Sequence, residues 1–242
     1  MNREEFIKEK LGQVLPEISN QQTDMFIKYY EMIIDKNNYM NLTSITDFEE
    51  FVVKHFLDSL QILRVMNYND LSSHDYSLID IGTGAGFPGI PLKIAFPGLK
   101  VTLFDSLNKR LVFLDEVIST LGLKDICTVH GRAEEFGRKE EFREKYDIVV
   151  SRAVAGLNSL CEFCLPFCRV NGFFISYKGS KGDDELLQAK NAVKLLGGCT
   201  KKKVSFNLCG EDNDRTVIMI EKVSPCNSKY PRAGGKPLKS PL

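Results

Sequence analysis

The chain has 242 residues, of which 43% are hydrophobic and 26% are charged, and it carries 32 basic and 32 acidic side chains. This composition is ordinary for a soluble globular protein and leaves room for one large domain with an added cap. Zero net charge gives no general affinity for nucleic acid, so RNA binding would need a local basic face. No long apolar run and no signal sequence is visible, so the protein is not predicted to associate with a membrane. The seven cysteines predict a reduced, cytoplasmic protein.

Residues 1–75 are predicted to form a helical N-terminal cap, because apolar residues recur there at helical spacing. A group of large side chains in its first half is interpreted as the core of the cap rather than as a platform for stacking bases. The group consists of Met25, Phe26, Tyr29 and Tyr30.

A second helix of the cap is predicted to begin at the N-cap residue Asp47 and to end near Met66. His55 and Asp58 lie three residues apart on this helix and therefore share a face. The sequence leaves open whether His55 pairs with Asp58 at the surface or contacts RNA. Residues 67–75 are polar and are predicted to be a linker into the main domain.

The stretch Asp80–Gly89 is the main functional signal of the chain. Residues 77–79 predict the end of a buried strand and residues 90–95 the start of a helix, so a glycine-rich turn lies at a helix N-terminus. Its letters satisfy both the dinucleotide fingerprint G-x-G-x-x-G and the acid-x-G-x-G-x-G pattern of class I S-adenosylmethionine methyltransferases. A turn that binds nothing is the third possibility. The candidate cofactor-binding residues in the pattern are Asp80, Gly82, Gly84 and Gly86.

Strands and helices alternate through residues 76–223, the predicted main domain. Strands are predicted at 77–79, 101–105, 126–130, 146–151, 172–177, 202–208 and 216–223. Helices are predicted at 109–121, at 157–168 with a break near Pro166, and at 183–196. This alternation predicts a mostly parallel sheet with helices on both faces. The turn at 210–214 is too short for a crossover connection, so the last two strands are predicted to be antiparallel.

The end of the second strand and the direction of the last strand bear on which cofactor binds. Asp105 ends the second strand, where an acid accepts hydrogen bonds from both ribose hydroxyls of an adenosine, and this fits either cofactor. An antiparallel last strand beside the fifth belongs to the methyltransferase fold, and no hydride-transfer constellation such as Tyr-x-x-x-Lys is visible. The predicted fold class is therefore α/β, the class I S-adenosylmethionine-dependent methyltransferase fold. It comprises a seven-stranded, mostly parallel sheet with helices on both faces, an antiparallel last strand and a helical N-terminal cap.

Several short motifs occur in the order and spacing of one known family. They are Asn41-Leu-Thr-Ser, His55-x-x-Asp58-Ser59, Asp80-Ile-Gly-Thr-Gly-Ala-Gly-Phe-Pro-Gly-Ile-Pro-Leu92, Asp105-Ser-x-x-Lys109-Arg110, Gly131-Arg-Ala-Glu-Glu135, Ser151-Arg152-Ala153 and Lys178-Gly179. On these motifs, residues 37–242 resemble the bacterial 16S ribosomal RNA guanine-N7 methyltransferase family, also called the glucose-inhibited division protein B family. The tail from Tyr230 resembles the ending of its Gram-positive members.

The resemblance implies S-adenosylmethionine as methyl donor and N7 of a guanine in the 530 loop of 16S ribosomal RNA as acceptor. It implies this RNA or the small ribosomal subunit as the partner, and no obligate protein partner. The cofactor-binding residues that it adds are Phe87, Asp105, Ser106, Leu107, Ala133, Glu134 and Arg152. Neutral guanine carries no proton on N7, so no general base is assigned, and the positioning candidates are Asn41, His55, Asp58 and Lys178. The alternatives are another RNA or a small molecule as substrate, or a non-catalytic cofactor-binding RNA chaperone.

The remaining motifs have structural or electrostatic interpretations. Three cysteines are predicted to lie on one stripe of a helix as buried thiols rather than as metal ligands, so no metal site is predicted. They are Cys161, Cys164 and Cys168. Residues 224–242 are predicted to be an irregular basic tail, with phosphate contact favoured over a solubilising role for its cations. These cations are Lys229, Arg232, Lys236 and Lys239, whereas Lys201–Lys203 is interpreted as the solvated start of a strand.

Overall fold

A seven-stranded sheet organises the computed structural model, which describes residues 1–208 and 214–242. The strands are β1 Ser77–Ile81, β2 Lys100–Asp105, β3 Ile126–His130, β4 Tyr146–Arg152, β5 Cys168–Lys178, β6 Gly198–Asn207 and β7 Asp214–Lys222. Their spatial order is β3-β2-β1-β4-β5-β7-β6, and neighbouring strands are parallel except for the two pairs that include β7. This confirms the predicted fold class. The predicted turn at 210–214 lies outside the described residues except for Asp214.

The cap begins with two helices whose ends are set by side-chain caps. α1 at Arg3–Leu11 starts after Asn2 through a capping box. α2 at Asn20–Met40 starts after Ser19 in the same way and ends at Asn41, which adopts a left-handed φ of 47°. These caps satisfy backbone groups that the helix ends would otherwise leave without partners.

The helix predicted after Asp47 forms three consecutive segments. α3 at Phe48–Phe51 continues into a π-helical turn at Val52–Leu57, and a 3₁₀ turn follows at Leu60–Arg64. Asp47 caps the first segment, as predicted, by accepting a backbone N–H at 2.9 Å. The π-helical turn carries His55, and such turns occur mainly at functional positions.

The polar stretch 67–75, predicted to be a linker, contains the helix α4 at Tyr68–Ser73. The Asn67 side chain caps this helix by accepting the Asn69 N–H at 2.8 Å, and Leu71 is fully buried. The prediction of a linker is therefore wrong. One buried leucine and one side-chain cap are enough to hold this short helix against the domain.

The helices of the main domain connect its strands. They are α5 Gly89–Ala95, α6 Asn108–Leu121, α7 Ala133–Phe136, α8 Leu157–Cys164, α9 Gly182–Gln188 and α10 Lys190–Leu195. α8 ends just before the break predicted near Pro166, because proline has no N–H to continue the helical hydrogen bonds, and Cys168 opens β5 instead of extending a helical stripe. All three cysteines are nevertheless fully buried, as predicted, and burial raises the pKa of the Cys161 and Cys168 thiols to about 12.

The cap, α5 and α6 pack on one face of the sheet, and α7 to α10 pack on the other. Phe26 and Tyr29 of α2 are fully buried in one core with Ile90 of α5, which confirms that the aromatic group of the cap is core. The opposite core joins Leu160 of α8 to Phe174 of β5. Within residues 1–208 and 214–242, no helix has the length and apolar character needed to cross a membrane.

Residues 224–242, called the C-terminal strap below, lie against the second face and contain the short helix α11 at Lys236–Lys239. Two arginines of the main domain hold the strap by its carbonyl groups. Arg138 Nε donates to Pro231 O at 2.8 Å, and Arg143 Nη2 donates to Cys226 O at 2.7 Å. The main domain thus binds the strap through its backbone, so the side-chain pattern of the strap does not predict this contact.

Arg232 of the strap pairs with Glu162 of α8, which is fully buried. The guanidinium donates from Nη2 to Oε2 at 2.6 Å and from Nε to Oε1 at 2.9 Å and Oε2 at 3.1 Å, and the Arg232 backbone N–H donates to Oε1 at 2.6 Å. The sequence groups Arg232 with the cations predicted to contact phosphate. In the structure Arg232 forms an ion pair with Glu162 instead, because a buried carboxylate needs a partner of opposite charge. The exposed cations of the strap are Lys229, Lys236 and Lys239.

Candidate active site

The glycine turn lies where the strand order reverses, between the ends of β1 and β4. Open α/β sheets bind ligands at such switch points. Gly82, Gly84 and Gly86 have φ angles of 74°, 62° and 104°, a region that favours glycine. A Cβ on Gly82 would lie 2.5 Å from the Val154 side chain, so the segment after β4 closes directly onto the turn.

Asp80 lies beneath the turn and is fully buried, so it lines no cavity. Its Oδ2 accepts hydrogen bonds from Thr83 Oγ1 at 2.7 Å and from Gly89 N at 2.9 Å. Burial raises the pKa of Asp80 to about 6, although both hydrogen bonds favour the carboxylate. Asp80, predicted to bind the cofactor, thus lies beneath the turn, and its carboxylate ties the start of the turn to the helix after it.

Gly86 and Phe87 face the cap rather than open space. A Cβ on Gly86 would lie 2.5 Å from Tyr29 Oη, and this hydroxyl donates to Ala85 O at 2.5 Å. Phe87 is 6% exposed and stacks on His55 with a centroid separation of 4.6 Å and an interplanar angle of 9°. The structure thus places neither residue on a cavity wall, because both form the joint between the turn and the cap.

A cavity of about 570 Å³, called the sheet-edge cleft below, opens beside the turn at the carboxyl ends of β1, β2 and β3. Six of the predicted cofactor-binding residues line it, namely Gly82, Asp105, Ser106, Leu107, Ala133 and Glu134. Lining residues that the sequence did not assign to the site include Arg110, Val154, Phe163 and Leu238. Arg110 has a signal, since it belongs to the motif that begins at Asp105, but the other three come from distant parts of the chain.

Asp105 is 3% exposed and is held by three donors. Its Oδ2 accepts the Gly84 N–H at 2.9 Å and lies 3.5 Å from Arg110 Nη1, while its Oδ1 accepts only the Leu107 N–H, at 2.9 Å. Oδ1 therefore keeps a lone pair for a ligand hydroxyl. The bond to Gly84 also fixes the turn relative to the end of β2.

A second cavity of about 600 Å³, called the cap-side cavity below, lies between the cap and the ends of β4 and β5. It collects four residues that the sequence names, His55, Asp58, Arg152 and Lys178, and three charged ones that it missed, Lys54, Glu185 and Arg215. Asn41 lines neither cavity, because its backbone ends α2. Arg152, predicted at the cofactor, belongs to this cavity rather than to the sheet-edge cleft.

Arg152 connects the sheet to the cap. Its Nη1 donates to Asp58 Oδ2 at 2.8 Å and to Lys54 O at 3.2 Å, and its guanidinium carbon lies 5.0 Å from the Phe87 ring centroid. Arg215 Nε lies 3.3 Å from the other oxygen of Asp58. Asp58, which is 5% exposed, is therefore shared between two arginines.

His55 is neutral in this network. Arg152 Nη2 lies 3.2 Å from His55 Nδ1, and since a guanidinium only donates, Nδ1 must be the acceptor. The ring proton then sits on Nε2, which donates to Thr43 Oγ1 at 2.8 Å. The pKa of His55 is lowered to about 3, mainly by burial and further by the positive charges of Arg152 and Lys54. Both ring nitrogens are occupied, so His55 is not arranged to remove a proton from a substrate.

Lys178 is 8% exposed and already has two partners. Its Nζ donates to Ala155 O at 2.6 Å and lies 2.8 Å from Glu185 Oε2. The two cavities share Ala153 and Val154, so a ligand that passes Val154 reaches both. Among residues 1–208 and 214–242, no cluster of three His, Cys, Asp or Glu side chains is arranged to hold a metal ion.

Comparisons with known proteins find relatives along nearly the whole chain. The family model GidB, rRNA small subunit methyltransferase G, matches residues 22–217. The ribosomal RNA small subunit methyltransferase G of Lachnoclostridium phytofermentans is 54% identical over 93% of this chain and 92% of its own length. The protein of that name from Exiguobacterium sp. is 44% identical over the full length of both chains. The crystal structure of a SAM-dependent methyltransferase from Aquifex aeolicus shares the fold, with a TM-score of 0.53 at 14% identity, over 72% of this chain and 93% of that one.

Proposed function

Because the chain belongs to the GidB family, rRNA small subunit methyltransferase G, we propose that it methylates N7 of a guanine in the 530 loop of 16S ribosomal RNA with S-adenosylmethionine as donor. The structural observation that carries the proposal is the junction of two different cavities at the switch point of the sheet. One is shaped for a nucleoside, and the other is lined by cations beside it.

The sheet-edge cleft supports S-adenosylmethionine as the donor. Its walls include apolar side chains suited to a purine, and Asp105 Oδ1 keeps a lone pair for a ribose hydroxyl. A Cβ on Gly84 would enter space in which the nearest protein atom is 4.0 Å away, which leaves room for a ligand against the turn. When bound, S-adenosylmethionine supplies a methyl group on a positively charged sulfur.

The proposed reaction requires little proton transfer by the residues of this chain. Neutral guanine N7 has a lone pair and no proton, so the residues need only align that lone pair with the methyl group and exclude water. The neutral, doubly hydrogen-bonded His55 fits this requirement, because it positions Arg152 and Phe87 without acting as a base. This chain therefore contributes orientation rather than acid–base catalysis.

The cap-side cavity supports RNA as the substrate. Four cationic side chains and two acidic ones line it in a chain whose net charge is zero, so positive charge is locally concentrated there. The four are Lys54, Arg152, Lys178 and Arg215. Proteins that recognise RNA by sequence favour loops with unstacked bases, and a single guanine fits a cavity of this size.

The decisive experiment maps 7-methylguanine in ribosomal RNA from cells with and without this chain. We expect one guanine of the 530 loop to lose its methyl group when the chain is removed. The wild-type chain should restore the modification, and the Gly84→Val variant should not. An unchanged 7-methylguanine map, or loss at another site, would overturn the proposal.

A further inference from the structure

The C-terminal strap reaches the sheet-edge cleft, and the function proposed above gives it no role. Leu238 of α11 lines the cleft together with Phe163 of α8. It is 59% exposed, whereas the residue before it, Pro237, is buried. An apolar side chain at the mouth of a cleft gains free energy when an apolar ligand covers it.

The strap holds Leu238 in place from both sides. On the N-terminal side, Ser159 Oγ donates to Pro237 O at 2.7 Å. On the C-terminal side, Arg232 Nη2 donates to Ser240 O at 2.9 Å while the same guanidinium pairs with the buried Glu162. Because α8 supplies both Ser159 and Glu162, the helix that carries Phe163 also positions Leu238.

The apolar part of the cleft lies where a purine would follow a ribose. Asp105 ends β2 and marks the place for ribose hydroxyls, and Leu107 two residues later is an apolar residue with 44% of its surface exposed. Leu107, Phe163 and Leu238 each contribute an apolar side chain to the walls of the same cleft. Such walls, with a few polar groups for orientation, are typical of nucleoside sites.

We propose that the C-terminal strap is a wall of the cofactor site, and that Leu238 packs against the adenine ring of S-adenosylmethionine. The inference rests on the proposed use of that cofactor. It gives the strap a task in binding the cofactor rather than the RNA, and it explains why the strap is anchored by a buried ion pair.

The test is calorimetric titration of the full chain with S-adenosylhomocysteine. Leu238→Ala should weaken binding about fivefold to tenfold through lost apolar contact, and Leu238→Asp should weaken it further. Leu187→Ala is the matched control, because Leu187 of α9 is 62% exposed and lines neither cavity. Its affinity should equal that of the wild type. Methylthioadenosine, which lacks the amino-acid end, should show the same fold-loss in Leu238→Ala.

Kinetics separate this role from a structural one. In Leu238→Ala the KM for S-adenosylmethionine should rise, while kcat and the KM for RNA stay unchanged. Wild-type affinity in Leu238→Ala, a loss absent with methylthioadenosine, or a change confined to the KM for RNA would each overturn the inference. If the wild type itself bound no S-adenosylhomocysteine, the proposed cofactor would be wrong, so that measurement distinguishes the two failures.

Discussion

The sheet-edge cleft and the cap-side cavity share Ala153 and Val154, yet their walls differ in kind. The cleft combines backbone and apolar side chains with two acids, Asp105 and Glu134, and two arginines, Arg110 and Arg132, and Asp105 keeps a free lone pair. The cavity presents charged side chains that already have partners, such as Arg152 with Asp58 and Lys178 with Glu185. The cleft can therefore accept a nucleoside without rearrangement, whereas an anionic ligand in the cavity must compete with internal ion pairs.

This difference predicts where mutations act. Changes in the cleft should act mainly on ligand affinity, because none of the residues that line it belongs to the cap. Changes in the cavity should alter stability as well, because its charges hold the cap to the sheet. Four sets of variants test that division, from the largest expected effect to the smallest.

Gly84→Val should weaken S-adenosylhomocysteine binding at least about 1,000-fold, or ~4 kcal/mol, because the new side chain fills the ligand's space. Gly122→Val is the matched control. Gly122 has a φ of 64° against 62° at Gly84, and no atom lies within 4 Å of the position of its Cβ. Calorimetry should find wild-type affinity in the control, and denaturant unfolding should find similar losses of stability in both variants. Equal affinities of the two variants would show that strain alone acts at Gly84.

Arg152→Met should lower the free energy of unfolding by about 3 kcal/mol, because it leaves Asp58 with only Arg215. In a double-mutant cycle with Asp58→Asn, we expect a coupling of about 2 kcal/mol. The control is the surface pair Lys36 and Glu116, whose side chains are 31% and 51% exposed. Its coupling should be below about 1 kcal/mol. Equal couplings in urea denaturation would contradict a stabilising role for the cavity charges.

Tyr29→Phe should cost about 1–2 kcal/mol of stability and weaken cofactor binding several-fold, because the buried Ala85 carbonyl loses its donor within the glycine turn. Tyr30→Phe is matched to it, since Tyr30 Oη donates to Thr46 O at 2.8 Å, away from the turn. We expect the control to lose stability but keep wild-type affinity. Calorimetry on both variants measures the difference in affinity. Equal affinities would show that the hydrogen bond from the cap to the turn has no effect on cofactor binding.

Single-turnover methyl transfer should be nearly independent of pH between about 7 and 8.5. The pKa of His55 is lowered from 6.5 to about 3 and that of Asp80 is raised to about 6, so both groups keep one charge state throughout this window. Transfer rates should be measured with saturating cofactor for the wild type and for His55→Gln. A rising limb near neutrality that disappears in His55→Gln would show that a proton is removed, and N7 would not be the acceptor.

The features of the fold and site that could be predicted depend on residues that are close together in the sequence. The glycine turn, the acid at the end of β2 and the alternation of strands and helices depend on neighbouring residues. Sequence patterns therefore suffice to select Gly82 and Asp105 as ligand-facing candidates, and both line the cleft. The antiparallel position of β7 follows from the short connection before it. The burial of Phe26 and Tyr29 in the cap follows from helical spacing alone.

The sequence by itself determined which stretch forms the glycine turn at the end of β1, because a backbone with positive φ favours glycine whatever surrounds it. Only the tertiary structure decided which charges face one another. Arg152 meets an acid 94 residues away, and Arg232 of the strap meets the buried Glu162. It also decided that Asp80 supports the turn from below and that Leu238 reaches the cleft. These pairings depend on how two faces of one sheet are covered, and hydrophobic packing sets that arrangement without leaving a local pattern in the sequence.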